Sequence, residues 1–278
     1  QATPKMSEAR RNQTAFGEAV NILALIYHNT VRSVRRGHGN AVIGLLLNIL
    51  QTVILIVAFW TMMTIMGMTG IGLRGNFVLY LMSGIFIFMT HTKTMGAVMA
   101  AEGPTSPMMQ HAPMNTAISI CAAALSALYT QVLSMVVVLY VYHAAFTPIT
   151  IDDPAGAFGM LLLSWLYGIA VGMIFLSVRP WMPEVTTIGS TIYSRVNMIA
   201  SGKMFTANTL SFGMLSVFDW NPLFHLIDQA RGFTFLNYGP RYTSISYAVY
   251  VSLALIMVGL MAEFFTRRHI SLSWNARR

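Results

Sequence analysis

The chain has 278 residues, 55% of them hydrophobic and only 9% charged, with a mean hydropathy of +0.61. A soluble domain carries about a quarter charged residues, so this composition excludes a water-solvated globule and points to lipid as the solvent. The net charge of +8 sits mostly at the ends of apolar segments and at the termini, which reads as a topology signal and not as a nucleic-acid surface.

Residues 1–40 contain Lys5, Arg10, Arg11, Arg32, Arg35 and Arg36 without an early apolar core, so no secretory signal pattern is visible there. Phe16, Val20, Leu23, Tyr27, Val31 and Val34 recur at helical steps, while Glu18, Asn21, His28, Arg32 and Arg35 fall largely elsewhere on the wheel. This predicts an amphipathic helix over 14–36 lying along a membrane surface. A helix packed on a soluble partner is the other reading of the same pattern.

Apolar runs of about 20 residues, the length that crosses a hydrocarbon core, then predict spans over 41–66, 77–101, 116–142, 157–178, 184–206 and 246–265. Asn48 and Gln51 lie one turn apart in the first span, and His91 and Lys93 stand near the end of the second, where a lysine snorkels to the headgroups. Glu102-Gly103-Pro104-Thr105-Ser106-Pro107, continued to Pro113, is a rigid, non-spanning connection over 102–113. In the fourth span Gly168 and Gly172 form a small-xxx-small pair suited to close helix approach.

The stretch from Glu184 to Tyr247 is too apolar for a loop and too interrupted for a plain span. It is broken by Gly213, Asn221-Pro222, Gly232 and Gly239-Pro240. Arg195 lies within the fifth span, where an arginine costs roughly 2.5–3.5 kcal/mol, so it is expected to face protein, water or an anion. Lys203 follows about two turns later and is expected on the same face. Counting Lys and Arg at the span ends puts both termini in the cytoplasm and 207–241 at the outer face.

Chemistry is sparse. The single cysteine, Cys121, excludes a disulfide within the chain. There is no phosphate-binding loop, no zinc-protease or nucleophile-elbow motif, and the seven histidines lack metal-ligand spacing, so no metal or cofactor is expected in this chain. His225 and Asp228 can share a helix face, as a structural pair or as the acid/base pair of an intramembrane lipid-modifying enzyme. The aromatics Phe59, Trp60 and Phe205 belong to an interfacial belt or line a passage and stack on sugar rings.

Three stretches carry a family resemblance. They are Ala101-Glu102-Gly103-Pro104 through His111-Ala112-Pro113-Met114, Arg179-Pro180-Trp181-Met182-Pro183-Glu184, and Asn221-Pro222-Leu223-Phe224-His225-Leu226-Ile227-Asp228-Gln229-Ala230-Arg231. In this order and spacing the chain resembles the type-2 ABC exporter permeases, in particular the capsule and O-antigen polysaccharide exporters of Gram-negative bacteria. It departs from their pattern at the first span, where Gly44 is not followed by a tryptophan three residues on, nor by a proline before Trp60.

The resemblance implies an all-α, six-span permease domain over 1–278 in the bacterial inner membrane, working as a homodimer with two ATPase subunits that bring ATP and magnesium. Periplasmic co-polymerase and outer-membrane export proteins are further implied partners. Residues 102–113, with Glu102, Gly103, Pro104, Pro107, His111 and Pro113, would take up ATPase motion. Residues 207–241 would form short re-entrant helices. Arg195, Lys203, Phe205, Phe59 and Trp60 would meet a lipid-linked, acidic polysaccharide, and Arg179, Pro183, Glu184, Asn221, Pro222, His225 and Arg231 are signature positions. A permease of the same fold for a drug, haem or lipid, and a passive membrane scaffold, are the alternatives.

Overall fold

The computed structural model describes residues 15–36, 41–67, 76–103 and 115–275. Among these residues the chain is α-helical and contains no strand. In order the helices are α1 (Ala15–Arg36), α2 (Ala41–Ile65), α3 (Phe77–Met99), α4 (Thr116–Ala145), α5 (Pro154–Val178), α6 (Pro183–Ala200), α7 (Phe212–Phe218), α8 (Pro222–Thr234) and α9 (Ile245–Asn275). Four of them, α2, α4, α5 and α9, are long and apolar enough to cross a membrane. The threonines, His91 and Lys93 in the second half of α3 dilute its apolar run. The 18 residues of α6 reach roughly 27 Å, just short of a ~30 Å hydrocarbon core.

Helix starts follow from local chemistry. Asn76 accepts a hydrogen bond from the Val78 amide at 3.0 Å, and Asp153 accepts from Ala155 and Gly156 ahead of Pro154. Asn221 accepts from Leu223 at 3.1 Å ahead of Pro222. Side-chain oxygens thus satisfy amides that the first turn leaves free, and proline fits the first helical position because its missing N–H is not needed there.

α3 and α5 form the spine, with α9 and α8 against α5 and with α4 and α2 against α3. α1 lies mainly along α4. Gly168 and Gly172 explain the close seam of the spine. A Cβ at Gly168 would stand 2.8 Å from the His91 carbonyl oxygen, and one at Gly172 would stand 2.8 Å from the Val98 Cβ and 2.9 Å from the Met95 oxygen. The small-xxx-small pair therefore meets α3. Gly172→Val is expected to destabilise the protein by about 1–3 kcal/mol through overpacking. Its thermal unfolding midpoint in detergent is the measure, and a midpoint equal to that of the parent would rule out the close approach.

The buried apolar core runs from Leu79 to Met89 on α3 through Leu161 on α5 to Leu223, Leu226 and Ile227 on α8. Much of the outside is also apolar, including Leu46, Leu50 and Ile54 on α2 and Tyr250, Met257 and Met261 on α9. That outer surface suits lipid, since exposed apolar area of this extent is rare on soluble monomers.

Candidate functional site

Residues 201–244, between α6 and α9, fold back into the bundle around one arginine. Arg231 on α8 is fully buried. It donates through Nη1 to the Gly202 oxygen at 2.9 Å and the Phe205 oxygen at 2.6 Å, and through Nη2 to the Lys203 oxygen at 2.6 Å. Its guanidinium carbon also lies 4.0 Å from the ring centre of Tyr80 on α3. A planar fork with several fixed donors suits this task, and an ammonium does not. The chain reaches this position because Gly202 adopts φ +72°, which ends α6 with a sharp reversal, and because a Cβ there would stand 2.5 Å from the Phe224 ring. Asn221 completes the clamp, donating to Asn197 Oδ1 at 2.9 Å and to the Ala200 oxygen at 3.0 Å on α6.

His225 and Asp228 serve the same region but have different partners. His225 Nδ1 accepts the Ser244 amide at 3.0 Å, and Nε2 lies 2.6 Å from the Asp219 carbonyl oxygen, to which it donates. Both ring nitrogens are thereby committed to the backbone, which supports the structural reading of this histidine over the acid/base one. The buried Asp228 carboxylate accepts from the Ala207 amide at 3.1 Å, the Tyr238 hydroxyl at 2.5 Å and the Thr243 hydroxyl at 2.9 Å.

Burial first, and the Asp228 carboxylate second, push the Tyr238 phenol above its ordinary value of 10.0. Folding therefore favours the protonated phenol. The stability this contributes is present in full below pH 10.0 and is lost as pH rises beyond it. Tyr238→Phe is expected to lower stability at neutral pH by about 1–3 kcal/mol and to flatten the alkaline loss. Thermal melts from pH 8 to pH 11, about two units below to one above the ordinary tyrosine value, test this. An alkaline slope as steep in the variant as in the parent would contradict the assignment.

The residues read as a substrate path are not gathered on one face. Arg195 is exposed on α6, on the same side as the exposed Ile188, Ile192 and Ile199. Lys203 does not share that face, because α6 ends at Ala200 and the Gly202 reversal turns the following chain inward. Lys203 is 1% exposed, and its Nζ stands 3.6 Å from the centre of the Phe88 ring and 4.7 Å from that of Phe59. Cation–π contact with two rings holds the ammonium in place of a hydrogen bond. Phe59 is likewise buried, and Phe205 sits in an aromatic cluster with Phe218 and Phe224 at 5.1 and 6.4 Å. Trp60 is half exposed beside an apolar groove between α2 and α4.

The signature turn between α5 and α6 ties helix ends together. Arg179 donates to the Met99 oxygen at the end of α3 at 3.2 Å, satisfying one of the carbonyls a helix C-terminus leaves free. Trp181 donates to the Thr266 hydroxyl on α9 at 3.1 Å, and Pro183 and Glu184 open α6. Glu102 begins the connection after α3, its amide donating to Ser119 on α4 at 3.0 Å, and Gly103 lies beside Leu176 of α5. Pro104, Pro107, His111 and Pro113 lie outside the described residues.

Several partners in this arrangement carried no motif. Tyr80 and Phe88 read as ordinary apolar positions of a span, and only the placement of cations against them marks them. Lys93, expected to reach toward headgroups, donates instead to Gln51 on α2. Asn48 donates to Gln131 and Ser134 on α4 at 3.1 and 2.8 Å. Among the described residues no cluster of His, Cys, Asp and Glu has the arrangement of a metal site.

No protein-family model matches the chain. It is similar to two curated sequences of the polysialic acid transport protein KpsM of Escherichia coli. One is 25% identical over 208 residues, covering 71% of this chain and 76% of the relative. The other is 24% identical over the same length, with the same coverage. These likenesses extend over most of both chains and bear out the resemblance to polysaccharide export permeases.

Proposed function

We propose that this chain is the membrane subunit of an ATP-driven exporter that moves a lipid-linked, acidic polysaccharide across the bacterial inner membrane. It does so as a dimer with six spans per chain and both termini cytoplasmic, and two separate ATPase subunits supply the energy. The observation that carries this reading is Arg195. It stands exposed among isoleucines on α6, where lipid is a costly neighbour and a hydrated anionic polymer is a favourable one.

The relatives are named for transport of polysialic acid, itself an acidic polymer, which supports the substrate class. The ties of Arg179 to Met99 and of Glu102 to Ser119 support a coupling role for the connection after α3, since they brace the end of α3 against the α5–α6 turn and the first residue of the connection against α4. In this reading α6 lines the polymer path, the clamp around Arg231 fixes the far end of that helix, and periplasmic and outer-membrane proteins receive the polymer.

Affinity purification of the tagged chain in mild detergent tests the class. Recovery of a Walker-motif ATPase at equal stoichiometry, with an activity that changes when Glu102 and Gly103 are substituted, is the expected result. A chain that purifies without any ATPase, or beside one indifferent to these substitutions, would count for a scaffold instead.

A further inference from the structure

Where α1 ends, α2 begins and α3 finishes, the structure forms an open cavity of about 240 Å³ that the transport reading does not use. Its polar lining includes Ser33, Asn48, Gln51, Lys93, Ser126, Thr130 and Gln131. The space exists because the remaining lining includes Ala41, Gly44, Ala97 and Ala127, whose side chains are small or absent.

The lining is biased toward donors. Lys93 uses one of its protons on Gln51 and has three to give. Asn48 Nδ2 donates to both Gln131 Oε1 and Ser134 Oγ, which fixes the Gln131 amide with its nitrogen away from Asn48. That nitrogen is buried without a hydrogen-bond partner, in a residue only 1% exposed. A buried amide left in this state costs about 1–3 kcal/mol unless something accepts from it. Among the described residues no carboxylate lines the cavity.

We propose that this cavity binds the phosphate of an anionic phospholipid headgroup, with Lys93 supplying the charge and Gln131 Nε2 a directed hydrogen bond. Phosphate oxygens are strong acceptors and match an ammonium and an amide donor together. The membrane is the nearer source of that group. Leu47 both lines the cavity and is exposed, and Leu46 and Leu50 beside it face outward, so acyl chains have an apolar surface next to the opening. The bound headgroup ties the end of α1 to α2, α3 and α4. This inference rests on the membrane setting and not on the transported substrate.

The test uses the full chain, delipidated in mild detergent and followed by thermal unfolding. Dioleoyl phosphatidylglycerol, dioleoyl phosphatidylcholine and inorganic phosphate are titrated separately. Phosphatidylglycerol is expected to raise the midpoint saturably, by roughly 5 °C at a hundredfold excess over its dissociation constant, and phosphatidylcholine by far less. Lys93→Met and Gln131→Leu are each expected to remove most of the shift, while Lys93→Arg and Arg195→Gln retain it. Should Lys93→Met fail to fold, Gln131→Leu carries the test. Equal shifts with both lipids, or a phosphatidylglycerol shift undiminished in the folded variants, would overturn the site. A full shift with inorganic phosphate alone would overturn the lipid as its source.

Discussion

Replacing Arg231 by methionine is expected to leave little recoverable folded protein, with a loss of stability on the order of 3–5 kcal/mol. The reason lies in what the guanidinium leaves behind. The carbonyls of Gly202, Lys203 and Phe205 converge on it from a single turn of chain, where the Gly202 oxygen also accepts from the Phe205 amide at 3.3 Å. Hydrogen bonds to a charged group are each worth roughly 1.5–3 kcal/mol, and losing them strands the acceptors in the interior. A methionine fills a similar volume, so a cavity is not the main cost. Arg231→Lys is expected to be intermediate, because it keeps the charge and lacks the fork. Fluorescence-detected size-exclusion of the three proteins, followed by thermal melts of those that survive, measures the order. A methionine variant as stable as the parent would mean that 201–205 is held by packing alone.

Arg195→Glu is expected to reduce polysaccharide at the cell surface by roughly tenfold or more, while the protein stays inserted at its normal level. The argument is the converse of the one for Arg231. The Arg195 side chain is exposed, so substituting it disturbs little packing. On the proposed path, reversing its sign beside an anionic polymer would replace attraction by repulsion, and like charges in such a position cost several kcal/mol, where about 1.4 kcal/mol is a tenfold change. Arg195→Lys keeps the sign and is expected to retain most of the transport. Normal surface polysaccharide in a correctly inserted Arg195→Glu protein would sink the assignment of this residue to the path, without touching the assignment of the class.

The contrast between Arg195 and Lys203 shows where the sequence was informative. The helical class could be read from apolar runs of spanning length, because lipid leaves a backbone few other ways to satisfy its polar groups. The fourth span was read from 157 and Asn221-Pro222 as an interruption, whereas α5 and α8 begin at Pro154 and Pro222. Lys203 was placed by extending the helix geometry of 184–206, and that extension failed at one residue. Gly202 takes a left-handed conformation, so everything after it points elsewhere. A glycine in sequence does not reveal the sign of its φ, nor that Phe224, twenty-two residues later in the chain, occupies the space a Cβ would need.

The Asn-Pro-Leu-x-His stretch was recognisable by resemblance, yet its purpose was not. Its Asn221, His225 and Arg231 bind backbone groups of segments far from them in sequence, and no periodicity encodes such pairings. The polar cavity at Lys93 was hidden for a related reason. Asn48 and Gln51 were visible one turn apart, but Gln131 and Lys93 become their neighbours only once α3 and α4 stand beside α2.

The attachment of α6 has a mechanical consequence. Along its length this helix touches α5 and α3 sparingly, mainly through Tyr193, whose hydroxyl lies 3.0 Å from His91 Nε2 and 3.1 Å from the Tyr167 hydroxyl. At its end, by contrast, Asn221 and Arg231 grip Asn197, Ala200 and the residues just beyond. Such a helix behaves as a lever with its fulcrum at Ala200. Swinging the Pro183 end requires exchanging the two Tyr193 hydroxyl hydrogen bonds and the bond from Trp181 to Thr266 beside it. Displacing the Ala200 end would require breaking the whole arginine clamp. A force applied at the Arg179–Glu184 turn would therefore rotate the face that carries Arg195 about the clamped end.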